Sequence, residues 1–190
     1  MSYIEFKNIT KNFGEFTACR DISLSIKKST IHSIIGENGA GKSTLVKLLG
    51  GIESVSTGEM FLNGRAYSPD SAQDAFKNKI SFIHQHFVLA EQLTALENLV
   101  LSASADQFSL KLKNTDVILV KAQSFLKQFG WSIDLHKKVQ HLSVGEQQRL
   151  EILKALMQEP DIIIFDEPTA VLAPQESEEL LKFILQLKAK

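Results

Sequence analysis

The chain has 190 residues, 44% of them hydrophobic, enough for one sizeable core and a small second subdomain. A formal net charge of −1 excludes the global basic field that attracts nucleic acid or an anionic membrane. A lone cysteine, Cys19, excludes an internal disulfide framework, and no apolar run approaches the ~18 residues of a spanning helix.

Met1–Thr10 alternates polar and apolar residues and lacks the charged head and apolar middle of a secretory signal. A soluble, cytosolic chain is expected, with any membrane role borrowed from a partner. Ile4 and Phe6 alternate with Glu5 and Lys7, and Ile22, Leu24 and Ile26 with Ser23 and Ser25, which predicts two half-buried strands. Ile31–Ile35 is a short β-branched run that predicts another strand, His32 within it. Gly36–Thr44 follows, reading Gly-Glu-Asn-Gly-Ala-Gly-Lys-Ser-Thr, a complete G-x-x-x-x-G-K-[ST] phosphate loop. Leu45, Leu48, Leu49 and Ile52 then recur at helical spacing. Glycines in such a loop let backbone N–H groups turn inward around a polyphosphate, and the helix start adds its positive dipole end. Lys42 would reach the β- and γ-phosphates of a nucleotide, and the Ser43 hydroxyl would ligate Mg²⁺. Gly36, Asn38, Gly39, Ala40, Gly41 and Thr44 complete the cradle expected to hold the polyphosphate.

Glu59–Leu62 leads into Asn63-Gly64, a strand entering a tight turn, so the early chain supplies several antiparallel strands. Ile80–Ile83 predicts a strand ending at His84-Gln85-His86-Phe87. From about Leu93 to Leu156 the pattern is helical. Thr94–Glu97 is a capping box, and Ile118, Ala122, Phe125, Leu126 and Phe129 stripe a second helix. Ile162–Phe165 is too short and too β-branched for a helix and predicts a buried strand. Pro174 opens a last helix with Glu176, Glu178 and Glu179 near its start and Leu180, Phe183, Ile184 and Leu187 on one face. Strands separated by helices predict an α/β core with a mostly parallel sheet, into which the helical middle is inserted.

The strand at Ile162–Phe165 ends in Asp166 and Glu167. Beside a phosphate loop, Asp166 at a strand's carboxyl end suits the Mg²⁺ shell, and Glu167 suits the attacking water. Leu142–Arg149 reads Leu-Ser-Val-Gly-Glu-Gln-Gln-Arg and admits two readings. Ser143 and Glu146 form a capping box that needs no ligand. A Ser hydroxyl and an exposed Gly145 N–H at a helix start also form an anion site. Phe13, in Thr10–Gly14, is likewise open between a core aromatic and a π-face for a base. Gln85, closing a strand, is open between a solvated loop residue and a ligand of the crevice at the sheet's carboxyl edge.

With these motifs in this order, the chain resembles, nearly end to end, the nucleotide-binding domain of ABC transporters. The resemblance implies a P-loop NTPase core with an N-terminal antiparallel β-subdomain and an inserted helical subdomain. Residues 1–90 and 157–190 would carry the core and β-subdomain, and 91–156 the helical part. It implies Phe13 stacked on adenine, Gly36–Thr44 as Walker A, and Gln85 as the Q-loop glutamine, contacting both Mg²⁺ and water. It makes Leu142–Gln148 the signature motif, and Ile162–Glu167 Walker B with Glu167 as catalytic base. Ser143, Gly145 and Glu146 would contact the γ-phosphate held by a partner domain. The implied cofactors are ATP and Mg²⁺. The implied partners are a second nucleotide-binding domain, in tandem or as a dimer, and permease subunits that hold the chain at the inner face of the membrane. An extracytoplasmic substrate-binding lipoprotein is implied indirectly; no nucleic acid is.

His84–Phe87, the signature with Val144 and Glu146, and the run from Asp166 to Glu176 resemble ATPase subunits of bacterial importers for simple sugars and nucleosides. Two departures stand out. Ala173 occupies a position where many members carry the D-loop Asp. The family's switch histidine should follow Walker B by a further helix and strand, and none of His32, His84, His86, His136 or His141 is placed for that role. The expectation is an incomplete first domain that hydrolyses ATP weakly by itself. Two alternatives differ in class. One is a binding module with little catalytic activity, which intact Lys42, Gln85, Asp166 and Glu167 oppose. The other is a non-transport ABC ATPase, opposed by the absence of heptads and by a spacing from Gly41 to Ser143 that leaves no room for a long coiled coil.

Overall fold

A computed structural model of the chain describes residues 2–85, 87–104 and 115–188. The chain forms two compact units, Met1–Ile80 with Ile184–Lys190, and Ser81–Phe183.

The first unit is built on an antiparallel sheet. The strands β1 (Ser2–Phe13) and β2 (Phe16–Lys27) form a long hairpin that closes with Phe13 opposite Phe16. The alternation expected from Ile4 and Phe6 is realised: both are buried on β1, as is Ile9. The strand β3 (Thr57–Leu62) pairs with the other edge of β1, and β4 (Arg65–Tyr67) follows, giving the order β2-β1-β3-β4. Asn63 and Gly64 take φ of 50° and 74° between β3 and β4. Two successive left-handed residues match the twist of a two-residue hairpin. The helix α1 (Lys42–Leu49) buries Leu45, Leu48 and Leu49. It stops at Gly50, so Ile52 lies beyond its end and is partly exposed. Tyr67 donates its hydroxyl to the Leu49 carbonyl at 2.8 Å. Burial, with Asp74 nearby, pushes that hydroxyl's pKa up to about 12. Asp74 belongs to α2 (Ala72–Lys77), which Ser71 caps.

One predicted strand is not found. Ile31–Ile35 has no strand assignment, and Ile35 is 92% exposed. After β2 the chain turns through Ser29 at φ 56°, with the Thr30 hydroxyl donating to the Lys27 carbonyl at 2.7 Å. A β-branched run becomes a strand only where a neighbouring strand meets its N–H and C=O groups, and among the described residues no strand pairs with this run. His32 is accordingly an exposed residue of irregular chain.

In the second unit β5 (Ile80–Ile83) pairs with β6 (Ile162–Phe165), and the Asp166 N–H donates to the Ile83 carbonyl at 3.1 Å. The helices α3 (Ala95–Ser104), α4 (Thr115–Phe129) and α5 (Val144–Leu156) share one apolar cluster. Leu99, Ala122, Val139, Leu150 and Leu153 lie near its centre, and Ile118, Ala122 and Leu126 carry the stripe predicted on α4. Residues 105–114, within the stretch expected to be helical, lie outside the described residues. Thr94 and Glu97 form the predicted capping box. The Thr94 N–H donates to Glu97 Oε2 at 2.7 Å, and the Glu97 N–H to Thr94 Oγ1 at 3.2 Å. The Thr94 N–H bond, with the Thr94 hydroxyl donating to the same oxygen at 2.8 Å, holds the Glu97 carboxyl below its ordinary pKa. The helix α6 (Pro174–Lys188) buries Leu180 and Phe183, the latter edge-on to Phe129 and against Trp131.

Candidate functional site

The phosphate loop belongs to the first unit. Irregular chain from residue 31 enters a turn that the Ala40 N–H closes on the Glu37 carbonyl at 3.2 Å, with Asn38 exposed inside it. Gly39 and Gly41 take φ of 82° and 85°, the region a side chain rarely adopts. At Gly41 the requirement is also steric, since a Cβ there would collide with the Ala18 carbonyl oxygen on β2. Cys19, the next residue of β2, is buried and donates its thiol to the Gly41 carbonyl at 3.5 Å; burial pushes the thiol's pKa up.

Left-handed Gly41 is the N-cap of α1 but gives no side-chain cap, and the first turn carries no acidic residue. The first-turn amides and the positive end of the helix dipole are thus directed at whatever anion enters the loop. Lys42 Nζ donates to the Gly36 and Glu37 carbonyls, both at 2.9 Å, which holds the ammonium over its own loop. Ser43 and Thr44 follow in the same turn, half-buried.

Phe13 closes β1 at the end of the hairpin and is 44% exposed, so it is not a core aromatic. Lys11 Nζ lies 4.7 Å from its ring centroid, and Lys11, itself buried, pairs with Glu53 at 3.0 Å. Lys11 is also the cross-strand partner of Cys19. The hairpin that carries Phe13 is therefore the one against which Gly41 is packed.

The carboxylates and the loop glutamine belong to the second unit. Asp166 is buried at the end of β6, and Glu167, the next residue, is exposed with φ 50°. A non-glycine residue in the left-handed region costs roughly 1–2 kcal/mol. Such positions concentrate at functional sites. Gln85 follows β5, and since β5 and β6 are paired their ends lie together. Gln85 Nε2 donates to Glu167 Oε2 at 3.1 Å. His86, beside Gln85, lies outside the described residues.

At the third motif the capping box is realised in full. The Ser143 N–H donates to Glu146 Oε2 at 2.8 Å, and the Glu146 N–H to Ser143 Oγ at 3.2 Å. Gly145, expected to be exposed at the helix start, is instead buried, because the carboxylate end of Glu176 packs against it. The same Glu176 accepts from the Ala173 N–H at 3.0 Å, closing the start of α6. Among the described residues no group of three or more His, Cys, Asp or Glu side chains is gathered to hold a metal ion. Mg²⁺ is commonly held by one or two protein ligands together with substrate phosphates, so such a site needs no cluster of carboxylates. Two features had no sequence signal: the packing of Glu176 on Gly145, and a grip of Glu151 and Lys154 on Val88, each a side-chain contact between distant segments.

A glycine-framed loop opening a helix, with two carboxylates at the end of a half-buried strand, defines a P-loop nucleotide-binding protein. Residues 19–170 match the ABC transporter family model, and the chain belongs to that family. It is 40% identical to the nucleoside import ATP-binding protein NupA of Lactococcus lactis subsp. cremoris, covering 97% of this chain and 36% of that protein. It is 38% identical to the glucose import ATP-binding protein TsgD13 of Haloferax volcanii, covering 97% and 38%. The chain thus spans little more than a third of the length of these relatives. Among solved structures, the ADP conformation of MJ1267, an ATP-binding cassette of an ABC transporter, matches with a TM-score of 0.88 at 28% identity. That match covers 100% of this chain and 78% of the other. The dimeric structure of MJ0796, a bacterial ABC transporter cassette, matches with a TM-score of 0.82 at 30% identity, covering 98% and 83%. The fold is that of an ABC ATPase cassette: an α/β P-loop core with a mostly parallel sheet, an antiparallel β-subdomain and a helical subdomain.

Proposed function

We propose that the chain is a MgATP-binding and -hydrolysing motor domain that powers uptake of a nucleoside, simple sugar or related small solute. The observation that carries ATP binding is the phosphate loop itself: two left-handed glycines, an uncapped helix start and the Lys42 ammonium held beside them. The importer reading rests on 38–40% identity to chains named for nucleoside and glucose import.

In this reading the amides of Gly36–Thr44 cradle the phosphates, and Lys42 neutralises charge on the β- and γ-oxygens. Phe13 offers its exposed face to adenine. Ser43, Gln85 and Asp166 are the assigned Mg²⁺ ligands. The bound metal would neutralise charge developing on the transferred phosphoryl group. Glu167 orients the attacking water and takes its proton, and Gln85, bonded to Glu167, sets where that carboxylate points. Ser143, Gly145 and Glu146 of one domain contact the γ-phosphate held by a second, so the domain alone turns over weakly. Residues 91–156 form the helical subdomain, and 1–90 with 157–190 the core and β-subdomain.

Among the described residues no helix is long and apolar enough to cross a membrane. The proposed placement is peripheral, on the cytoplasmic face, through permease subunits and together with a second nucleotide-binding domain. An extracytoplasmic substrate-binding lipoprotein is the proposed indirect partner. The test is phosphate release from MgATP by the full-length protein alongside binding of trinitrophenyl-ATP. Binding and release that both fall in Lys42→Ala support the reading. Binding without release in the native protein reduces it to a non-catalytic module.

A further inference from the structure

Lys11 is a charged residue at a buried position of β1, 7% exposed in company with buried Ile4, Phe6 and Ile9. An ammonium out of water needs a counter-charge and partners for its donors. Glu53 supplies the charge at 3.0 Å, from a side chain that still reaches water. The same ammonium lies over the Phe13 ring, 4.7 Å from its centroid. The face of an aromatic ring is the negative pole of its quadrupole, so this contact is attractive. A buried ion pair stabilises a fold less than apolar residues of the same volume would, and its best-attested use is to fix one arrangement among several.

Phe13 ends β1 at the tip of the hairpin and stays 44% exposed. Lys11 occupies one face of its ring, so a ligand meets the other. Glu53 follows α1 and is held by its last turn: the Ile52 and Glu53 N–H groups both donate to the Lys47 carbonyl, at 3.0 and 3.3 Å. The neighbours of Lys11 on either side are bonded to the same segment. The Asn12 N–H donates to Ser56 Oγ at 3.0 Å, and the Ser56 N–H to the Thr10 carbonyl at 3.0 Å. The start of α1 is fitted to the same hairpin, since Gly41 lies close against the Ala18 carbonyl. Both ends of the phosphate-loop helix are therefore fastened to the hairpin that carries Phe13, across 8 residues or about 12 Å of helix.

We propose that Lys11, held by Glu53, is a positioning residue that presents the Phe13 ring to the nucleotide base at a fixed span from the phosphate loop. Lys11 acts through the base contact proposed above for Phe13, and its role rests on that reading. A ring already fixed loses less freedom when a base stacks on it, so the ion pair raises affinity for the base. Phosphate binding at Gly36–Thr44 is independent of it.

The test measures the affinity of the full-length protein for MgATP and for magnesium tripolyphosphate, which carries phosphates without a base, at the site that Lys42→Ala weakens. Phe13→Ala should lower MgATP affinity by about fivefold or more, the low end for removing a stacked aromatic, and leave tripolyphosphate within about twofold. The double variant Lys11→Met with Glu53→Gln removes the cation and its counter-charge at similar volume. It should lower MgATP affinity by about three- to tenfold, with tripolyphosphate again within about twofold. Added to Phe13→Ala it should cost less than about a further twofold, because no ring is left to position. Lys11→Arg keeps a cation for the ring and should stay within about twofold of native.

Should the double variant fail to fold, Glu53→Gln alone is read the same way. A buried lysine without its counter-charge gives up its proton, and with it the attraction to the ring, so a loss of about twofold or more is expected for MgATP and none for tripolyphosphate. Equal losses for both ligands would mark a general loosening of the hairpin and overturn the proposal. So would undiminished MgATP affinity, or a loss that adds in full to that of Phe13→Ala. A Phe13 effect without a Lys11 effect overturns the role of Lys11 alone. If Phe13→Ala itself leaves MgATP affinity unchanged, the base-stacking reading falls and the role of Lys11 with it.

Discussion

Gln85 and Glu167 are 82 residues apart in sequence and joined by one hydrogen bond, Nε2 to Oε2 at 3.1 Å. The bond exists because β5 and β6 are neighbours and each residue follows the end of its strand. Glu167→Gln retains a group that can bond Gln85 but removes the base. Nucleotide affinity should stay within about threefold, while kcat falls by ~10²–10⁴, the range for losing a general base. Gln85→Ala should free the Glu167 carboxylate and remove an assigned Mg²⁺ ligand, lowering kcat about tenfold and weakening MgATP binding, a smaller loss of turnover because the base remains. Steady-state kinetics with equilibrium nucleotide binding checks both.

The left-handed backbone of Glu167, φ 50°, predicts an effect on stability opposite to that on activity. Glu167→Gly relieves roughly 1–2 kcal/mol of backbone strain. The unfolded chain gains entropy worth about 0.4–1 kcal/mol, so the net change should lie between zero and about +1.6 kcal/mol. Thermal or urea unfolding measures it, and a loss of more than about 1 kcal/mol would contradict strain at this residue. Hydrolysis should vanish in the same variant.

Much of this site was legible locally. The phosphate loop, the Asn63-Gly64 turn, the capping boxes at Thr94 and Ser143 and the stripe on α4 are written in neighbouring residues. The Gln85–Glu167 pair was half legible: both residues were singled out, but their contact depends on which strands pair. The Glu167 backbone angle, Glu176 on Gly145 and the grip on Val88 carry no local signature, because each is set by packing between remote segments. Ile31–Ile35 has the composition of a strand without being one, since β-propensity does not supply a neighbour to bond it.

The two left-handed glycines of the phosphate loop should differ in tolerance. Nothing lies within 4 Å of a Cβ built at Gly39, so Gly39→Ala should cost only the torsional ~1–2 kcal/mol. At Gly41 the same change also drives a methyl into the Ala18 carbonyl, adding about 1–3 kcal/mol of overpacking strain. Chemical unfolding of the two variants should rank Gly41→Ala well below Gly39→Ala, with MgATP binding lost in the former.

Tyr67 makes stability fall in alkali. Its folded pKa of about 12 lies above the unfolded value near 10, so the unfolded chain loses its proton first. The contribution is whole below pH 10 and declines as pH rises toward 12. Tyr67→Phe should flatten that part of the stability–pH profile, measured by urea unfolding from pH 9 to 11.5. It should also lower stability near neutrality by about 1 kcal/mol through loss of the bond to Leu49.

The most direct measurement is isothermal titration of folded protein with ATP and magnesium, native and Lys42→Ala side by side. Saturable heat near one nucleotide per chain in the native protein, sharply weakened when the Lys42 ammonium is removed, is the expected outcome. Absence of heat from a sample with native circular dichroism, or equal affinity in both proteins, would mean that the turn at Gly36–Thr44 does not hold a nucleotide.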